Sequence, residues 1–404
     1  MIPATLALDD ASERLWDVVI LGAGPAGSLA ARQLASRGAS VLLVEKKSLP
    51  RPKVCGACLN GQALQILRSV GLISLVSSEG GMALDQLHLG HDRRAARLPL
   101  VEGCALSRFR FDAALARAAI EAGANFLPET DARVEPAQAS DAARVTRLDQ
   151  QGRKGAASAR VVLVAAGLGK SCLPGASEFR TNVSRNTRMG MGCELASFPE
   201  FYRPKTIFMA VGRGGYVGMV RVENDRLNLA AALDRGLLKE QGEPGLAVAS
   251  LVREAGFPDF DPAVLQQADW HGTIGLTRTT KPLAAHRLFL LGDAAGYVEP
   301  FTGEGMGWAL TSAVAIQPLV EQAIIQWHPS VIPQWARMHH RLVGRRQRFC
   351  GGLAFLLKHP AATRLAFQVV TRLPLLSRQV LREVNAPSAS PVPPIPNTFP
   401  LSAR

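Results

Sequence analysis

The stretch Arg51-Pro52-Lys53-Val54-Cys55-Gly56-Ala57-Cys58-Leu59-Asn60 puts two thiols three positions apart beside two basic side chains. Such a pair can hold half of a zinc tetrahedron, close a redox disulfide, present one thiol to a cofactor or substrate, or serve as an ordinary loop. Zinc needs two further ligands, which His88 and His91 have the chemistry to supply. A thioredoxin-like disulfide expects the pair at the start of a helix that follows a strand. A second group, Gly22-Ala23-Gly24-Pro25-Ala26-Gly27, has GxGxxG spacing. Its first glycine permits a tight turn, its second lets backbone approach a pyrophosphate, and its third allows close helix–strand packing. A third group runs from Gly292 and Asp293 to Gly303-Glu304-Gly305-Met306, where Asp293 is either a cofactor contact or a helix cap.

These residues need elements to position them, and the flanking patterns supply candidates. Val18–Leu21 and Val41–Val44 are short apolar runs suited to a parallel sheet buried on both faces. Between them, Ser28–Ser36 is rich in Ala and Leu and stops at Gly38, which predicts a helix whose N-terminus faces a phosphate with free N–H groups. Glu45 ends the second strand, where a carboxylate accepts from a ribose 2′-OH; that favours FAD or NAD over NADP, with Lys46 beside it. Val161–Ala166 reads as a further buried strand, and Ser107–Leu115 leads into an alanine-rich helix that ends at Gly123. Thr206–Val211, Tyr216–Val222 and Leu227–Ala232 alternate apolar and polar residues, the pattern of an inserted antiparallel sheet.

Composition narrows the class. With 404 residues, 47% hydrophobic and 20% charged, the chain is globular and long enough for several structural units. Its six cysteines are too dilute for a disulfide scaffold, which makes a reducing cytosol the expected setting. The acidic N-terminal stretch lacks the pattern expected of a signal peptide, so none is expected, and no apolar stretch has the form expected of a membrane-spanning helix. The net charge of +13 is uneven: residues 331–404 hold eleven Lys and Arg against one acid, Glu383. No recognition module accompanies that charge, so nucleic acid is not the expected partner. A basic helical segment, broken at Pro360 and Pro374, is expected there, either as a solvated or partner-binding face or as a peripheral contact with an anionic membrane.

Taken in order, GAGPAG with Glu45, the RxxFDxxL element at Arg108–Leu115 and LGDAAGYVEPFTGEG at 291–305 resemble the flavoprotein class of para-hydroxybenzoate hydroxylase, flavin-dependent halogenases and geranylgeranyl reductases. The resemblance implies FAD. It places Asp293 on the ribityl chain, Arg108 on the cofactor, a backbone position near Ala132 at the adenine, and Pro300 and Gly303–Met306 along the isoalloxazine. Within the class, Lys53-Val54-Cys55-Gly56-Ala57-Cys58-Leu59 is similar to the KxCGxxL motif of geranylgeranyl reductases, which implies that Cys55 and Gly56 approach the flavin face where substrate sits. The WxWxIP element of halogenases is absent. Ala166 stands where aromatic hydroxylases carry the acid of a DG element, and Gly215–Val220 replaces the aromatic strand usual in geranylgeranyl reductases. The electron donor and prenyl specificity are therefore not implied.

The expected architecture is α/β: a Rossmann-like FAD-binding domain (1–84, 101–180 and 281–330), an inserted antiparallel-sheet substrate domain (85–100 and 181–280), a basic helical segment (331–384) and a Pro-rich tail (385–404). The expected activity is FAD-dependent reduction or dehydrogenation of a C–C bond in an apolar or carrier-bound substrate, with Cys55 as the catalytic candidate and no metal. The alternative is hydroxylation of an aromatic substrate.

Overall fold

The computed structural model describes residues 1–169, 171–173, 178–299 and 301–372. Pro300, the break at Pro374 and the Pro-rich tail lie outside the described residues.

Five parallel strands form the centre, in the spatial order Leu288–Leu290, Arg153–Val164, Leu15–Leu21, Val41–Val44 and Asn125–Leu127. Val18 is in register with both Val41 and Val161. Side chains alternate across this sheet with period two. Val18, Ile20, Leu43 and Leu163 enter one core, which the helices cover, and Val19, Leu21, Leu42 and Val164 enter the other. Burial on both faces explains why these strands read as unbroken apolar runs rather than as alternating ones.

The first strand turns at Gly22 into the helix Pro25–Ala35, with Pro25 at its first turn, where the missing N–H costs nothing. That helix packs against Arg108–Glu121 and the long helix Gly305–Ile325. The latter has the length and apolar composition of a membrane span, contrary to the sequence expectation, but most of it is buried and it serves as the core helix.

A seven-stranded sheet holds the second half of the molecule. Its order is His271–Gly272, Met189–Leu195, Arg226–Leu233, Gly215–Val222, Thr206–Gly212, Gln86–His91 and Arg94–Pro99. The expected antiparallel strands are present, but Thr206–Gly212 and Gln86–His91 pair in parallel, so the sheet is mixed. One face is packed: Phe208, Val217 and Leu229 meet Ala247, Val248 and Leu251 of the helix Pro244–Ala255. The other face turns to the parallel-sheet half.

The basic segment forms the helices Val331–His339, Arg345–Leu356 and Pro360–Arg372, with a π-helical turn at His340–Gly344. It does not stand apart. Gln347 Nε2 donates to Gly296 O at 3.0 Å, Arg346 reaches Glu304 at 3.6 Å, and Arg188, itself paired with Glu299 at 2.7 Å, donates to Leu357 O at 3.3 Å. These bonds hold the helix Arg345–Leu356 against the loop that leads into Gly305–Ile325.

Candidate active site

A cavity of about 1090 Å3 lies between the two sheets. Gly22, Gly24, Pro25, Ala26, Glu45, Lys46, Arg108, Ala132, Gly292 and Asp293 line one part of it. Cys55, Gly56, Gly303, Gly305 and Met306 line the middle. The structure thus brings together the described residues expected from sequence, apart from Gly27, which is not on the wall; Pro300 lies outside the described residues. Gly27 lies beneath the turn, where a Cβ would fall 1.8 Å from Gly22 O. Gly22 has φ +102° and would bring a Cβ to 2.6 Å from Ala165 O, so the tight turn requires glycine at both places.

Gly24 differs from both. An added Cβ there meets only Arg108 Nη2, at 3.6 Å, and otherwise faces open cavity. Glu45 locks the turn to the end of the second strand, accepting Ala23 N–H at 2.8 Å and Lys47 N–H at 3.1 Å and pairing with Arg51 at 3.2 Å. Lys46 pairs with Asp131 at 3.2 Å, next to Ala132. Across the cleft, Arg108 grips the fully buried Asp112 through two bonds of 2.6 and 2.7 Å. Burial opposes its charge, but Asp112 more than offsets this and raises the Arg108 pKa further.

Lys53 extends toward Gly167, where a Cβ would sit 3.7 Å from Nζ. The cleft walls desolvate its ammonium, and Arg108 and Arg51 repel it, so its pKa falls. Asp293 is raised chiefly by burial, against the pull of Arg108, Lys53 and Arg278. It sits in a 3-10 turn, Gly292–Ala295, and not at the N-cap of the long helix, a position held by Glu304. Arg51, Lys53 and Arg108 bring N–H donors to this part of the cleft, where Glu45, Asp112 and Asp293 balance their charge, so a diphosphate would meet hydrogen-bond donors rather than an uncompensated positive field.

The cysteine loop lies along the second sheet. Cys55 O accepts from Asn228 Nδ2 at 3.0 Å, and Val54 packs where a Cβ on Gly192 would come within 3.3 Å. Cys55 and Cys58 are both free. Cys58 bonds Gly56 O at 3.0 Å, and burial pushes its thiol pKa up, which keeps it protonated. The histidines of the zinc reading serve other purposes. His88 sits 5.1–5.6 Å from the rings of Phe201, Phe208 and Phe257, while His91 bonds Val211 O at 3.0 Å. No cluster of metal-binding residues forms among the described residues.

Sequence reasoning missed two residues on the wall. Tyr297 lies five residues beyond Gly292 on a two-residue strand, and its phenol pKa is raised by burial and by the nearby Asp293 and Cys55. Asn60 caps the helix Gly61–Ser69 through Oδ1, while its Nδ2 is buried without a protein partner. Arg51 Nε is in the same state. These orphaned donors on the wall, and the open space over Gly24, fit a bound dinucleotide with polar atoms along its length. Tyr297 and Asn60 lack a spacing that marks them; only their proximity to the two glycine motifs could have drawn attention.

Beyond Cys55 the cavity becomes apolar. Leu87, Leu98, Ile207, Met209 and Leu276 line it, over a floor of small residues at Gly190, Gly218, Ala230 and Ala232. Tyr216 and Phe301 meet edge to face there, with ring centres 4.9 Å apart.

Comparison with known proteins agrees with this geometry. The profile of a family described as FAD binding domain matches residues 16–319. Digeranylgeranylglycerophospholipid reductase 1 of Methanothermobacter thermautotrophicus is 29% identical over 72% of this chain and 73% of its own length. Conditioned medium factor receptor 1 of Dictyostelium discoideum is 27% identical over 76% of this chain, which spans 62% of that protein. Among solved structures, the flavin-dependent brominase Bmp2 superposes with a TM-score of 0.75 at 17% identity, covering 92% of this chain and 94% of the brominase, a likeness of fold.

Proposed function

We propose, on the premise that this chain belongs to the FAD binding domain family, that it is an FAD-dependent oxidoreductase acting on a carbon–carbon bond of an apolar substrate, by reduction or, in reverse, by dehydrogenation. The observation that supports this reading is the continuity of the polar cleft with an apolar chamber floored by Gly190, Gly218, Ala230 and Ala232. Gly218, Ala230 and Ala232 leave volume on the sheet face, while Thr273 covers Gly190, and an apolar lining favours hydrocarbon over water. The resemblance of the KVCG loop to that of geranylgeranyl reductases, and the similarity to the archaeal reductase, point the same way.

FAD, when bound, would supply or accept the hydride exchanged with a substrate carbon. The residues proposed to hold it are Gly22, Gly24, Pro25 and Ala26 at the diphosphate, Arg108 opposite them, and Glu45, Lys46 and Ala132 at the adenosine end. Gly292 and Asp293 would meet the ribityl chain. Gly56, Gly303, Gly305 and Met306 would lie along the ring system, and Gly27 supports the turn from beneath. The start of the helix Gly305–Ile325 lines the cavity, and its positive end would stabilise negative charge on a ring system bound there. The chain's remaining task in reduction is a proton for the second carbon. Cys55 and Tyr297 are two proton-bearing groups on the wall near the junction of polar cleft and apolar chamber; burial raises the Tyr297 pKa, which keeps its proton in place and makes it a weak general acid, so Cys55 is the first candidate to test.

A visible-spectrum titration of the FAD-loaded protein tests the reading. A long-chain alkene should perturb the flavin bands in the wild type and leave them unmoved in Ala230→Trp, which fills the chamber floor while retaining FAD. A response to phenols with none to alkenes would favour the second reading, aromatic hydroxylation, for which the edge-to-face Tyr216–Phe301 pair offers an aromatic corner.

A further inference from the structure

We infer that the outer face of the helices Arg345–Leu356 and Pro360–Arg372 docks on an anionic lipid surface and passes the substrate from it into the cavity; this rests on the apolar-substrate reading above. Three apolar side chains line the cavity and face solvent at once, and so form the rim of its mouth. They are Ile274, Phe349 and Val369, at 51%, 51% and 38% exposure. Two of the three belong to these helices. Outward from the rim the same helices carry Phe355 at 67% exposure and Leu365 at 62%.

At 100° per residue, Arg345, Arg348, Phe349, Gly352 and Phe355 share roughly a third of the helix circumference, and all five are exposed. Leu365, Val369 and Arg372 share one side of the second helix in the same way, and they too are exposed. Residues 331–372 contain eight Lys and Arg and no Asp or Glu; of the eight, Arg346 and Arg364 pair with Glu304 and Asp92 of other elements. A merely solvated face mixes both charges and does not place its largest apolar side chains outward at the mouth of an apolar chamber. Cationic groups interleaved with exposed Phe and Leu match an interface of anionic headgroups over acyl chains. An acidic protein partner would also meet the charge. Yet the face Arg345–Phe355 offers, besides its guanidinium groups, only phenylalanine and glycine, little for the directed hydrogen bonds of a protein interface.

The test uses the full-length FAD-loaded protein and phosphatidylcholine vesicles with and without phosphatidylglycerol, read by flotation. The wild type should float with the anionic vesicles and stay behind with the neutral ones. Arg345→Gln with Arg348→Gln should lower partitioning roughly 30-fold, from a contribution of roughly fivefold per basic residue. Phe355→Ser, which leaves charge intact, should lower it by roughly tenfold or more. All variants should keep their flavin spectrum, which shows that they fold. Equal binding to both vesicle types, no binding to either, or unchanged binding by both variants overturns the proposal. So does a complex with an acidic carrier protein that the same variants abolish while vesicles are ignored. If vesicle binding behaves as expected but alkenes leave the wild-type flavin unmoved, the substrate reading and the delivery role fall while the docking surface stands.

Discussion

Gly24→Ala separates cofactor binding from folding more cleanly than any other change in the glycine turn. Gly24 has φ −79° and ψ −175°, a conformation alanine adopts readily, and the new Cβ meets only the tip of Arg108 at 3.6 Å. Restricting the unfolded chain should stabilise the protein by about 0.4–1 kcal/mol. Alanine is a poorer N-cap than glycine by a similar amount. The two effects nearly cancel, so the apoprotein should melt close to the wild type. The cofactor sees a different change, since the methyl group occupies the space through which backbone approaches a diphosphate. Overpacking of this kind costs about 1–3 kcal/mol, which corresponds to roughly 5- to 150-fold in Kd. Fluorescence titration of FAD into the apoprotein, with a thermal melt on the same sample, reads both quantities. Gly27→Ala is the control, because its Cβ would collide with Gly22 O at 1.8 Å and both melt and affinity should suffer. Unchanged FAD affinity in Gly24→Ala would refute the placement of the diphosphate.

Cys55→Ser should slow turnover with little change in FAD binding, while Cys58→Ser should be nearly silent; equal losses in steady-state rates would revive a disulfide between them. Arg108→Met strands the buried Asp112 carboxylate and should cost about 3–5 kcal/mol in denaturant unfolding. Adding Asp112→Leu should restore much of that stability but not the FAD affinity, and recovery of both would remove Arg108 from the cofactor site. His339 is buried against Trp335, and burial lowers its pKa from 6.5 to about 4. Between those values the unfolded chain binds a proton that the fold refuses, so the contribution is complete above pH 6.5 and fades as pH falls toward 4, by about 3 kcal/mol in all. The pH 7 to pH 4 loss in melting temperature should therefore be smaller in His339→Gln than in the wild type, and an equal loss would contradict the assignment.

The parts of the fold that were legible from sequence are those in which local pattern and burial coincide. Val18–Leu21 and Val41–Val44 read as strands because both faces of the parallel sheet are buried, and Gly22 and Gly27 mark a turn that no side chain fits. The helix Pro25–Ala35 began earlier than the Ala/Leu pattern suggested, because Pro25 is favourable in a first turn and invisible to periodicity. The parallel pairing of Thr206–Gly212 with Gln86–His91 joins segments more than a hundred residues apart, which no local signal reports. The same is true of the C-terminal helices. Their charge was plain, but their place at the cavity mouth depends on Arg346, Gln347 and Leu357 meeting distant partners. Tyr297 and Asn60 were hidden for a related reason: each acquires its setting only when the two glycine motifs come together in space.

In the proposed function, the apolar chamber would present a carbon–carbon bond to the bound flavin. The most direct measurement is the reoxidation of anaerobically reduced, FAD-loaded protein on mixing with a polyprenyl alkene. The oxidised flavin absorbance should return without oxygen, with one saturated bond formed per flavin, and Ala230→Trp should suppress this. A flavin that stays reduced with the alkene, yet reoxidises with oxygen while hydroxylating a phenol, would contradict it.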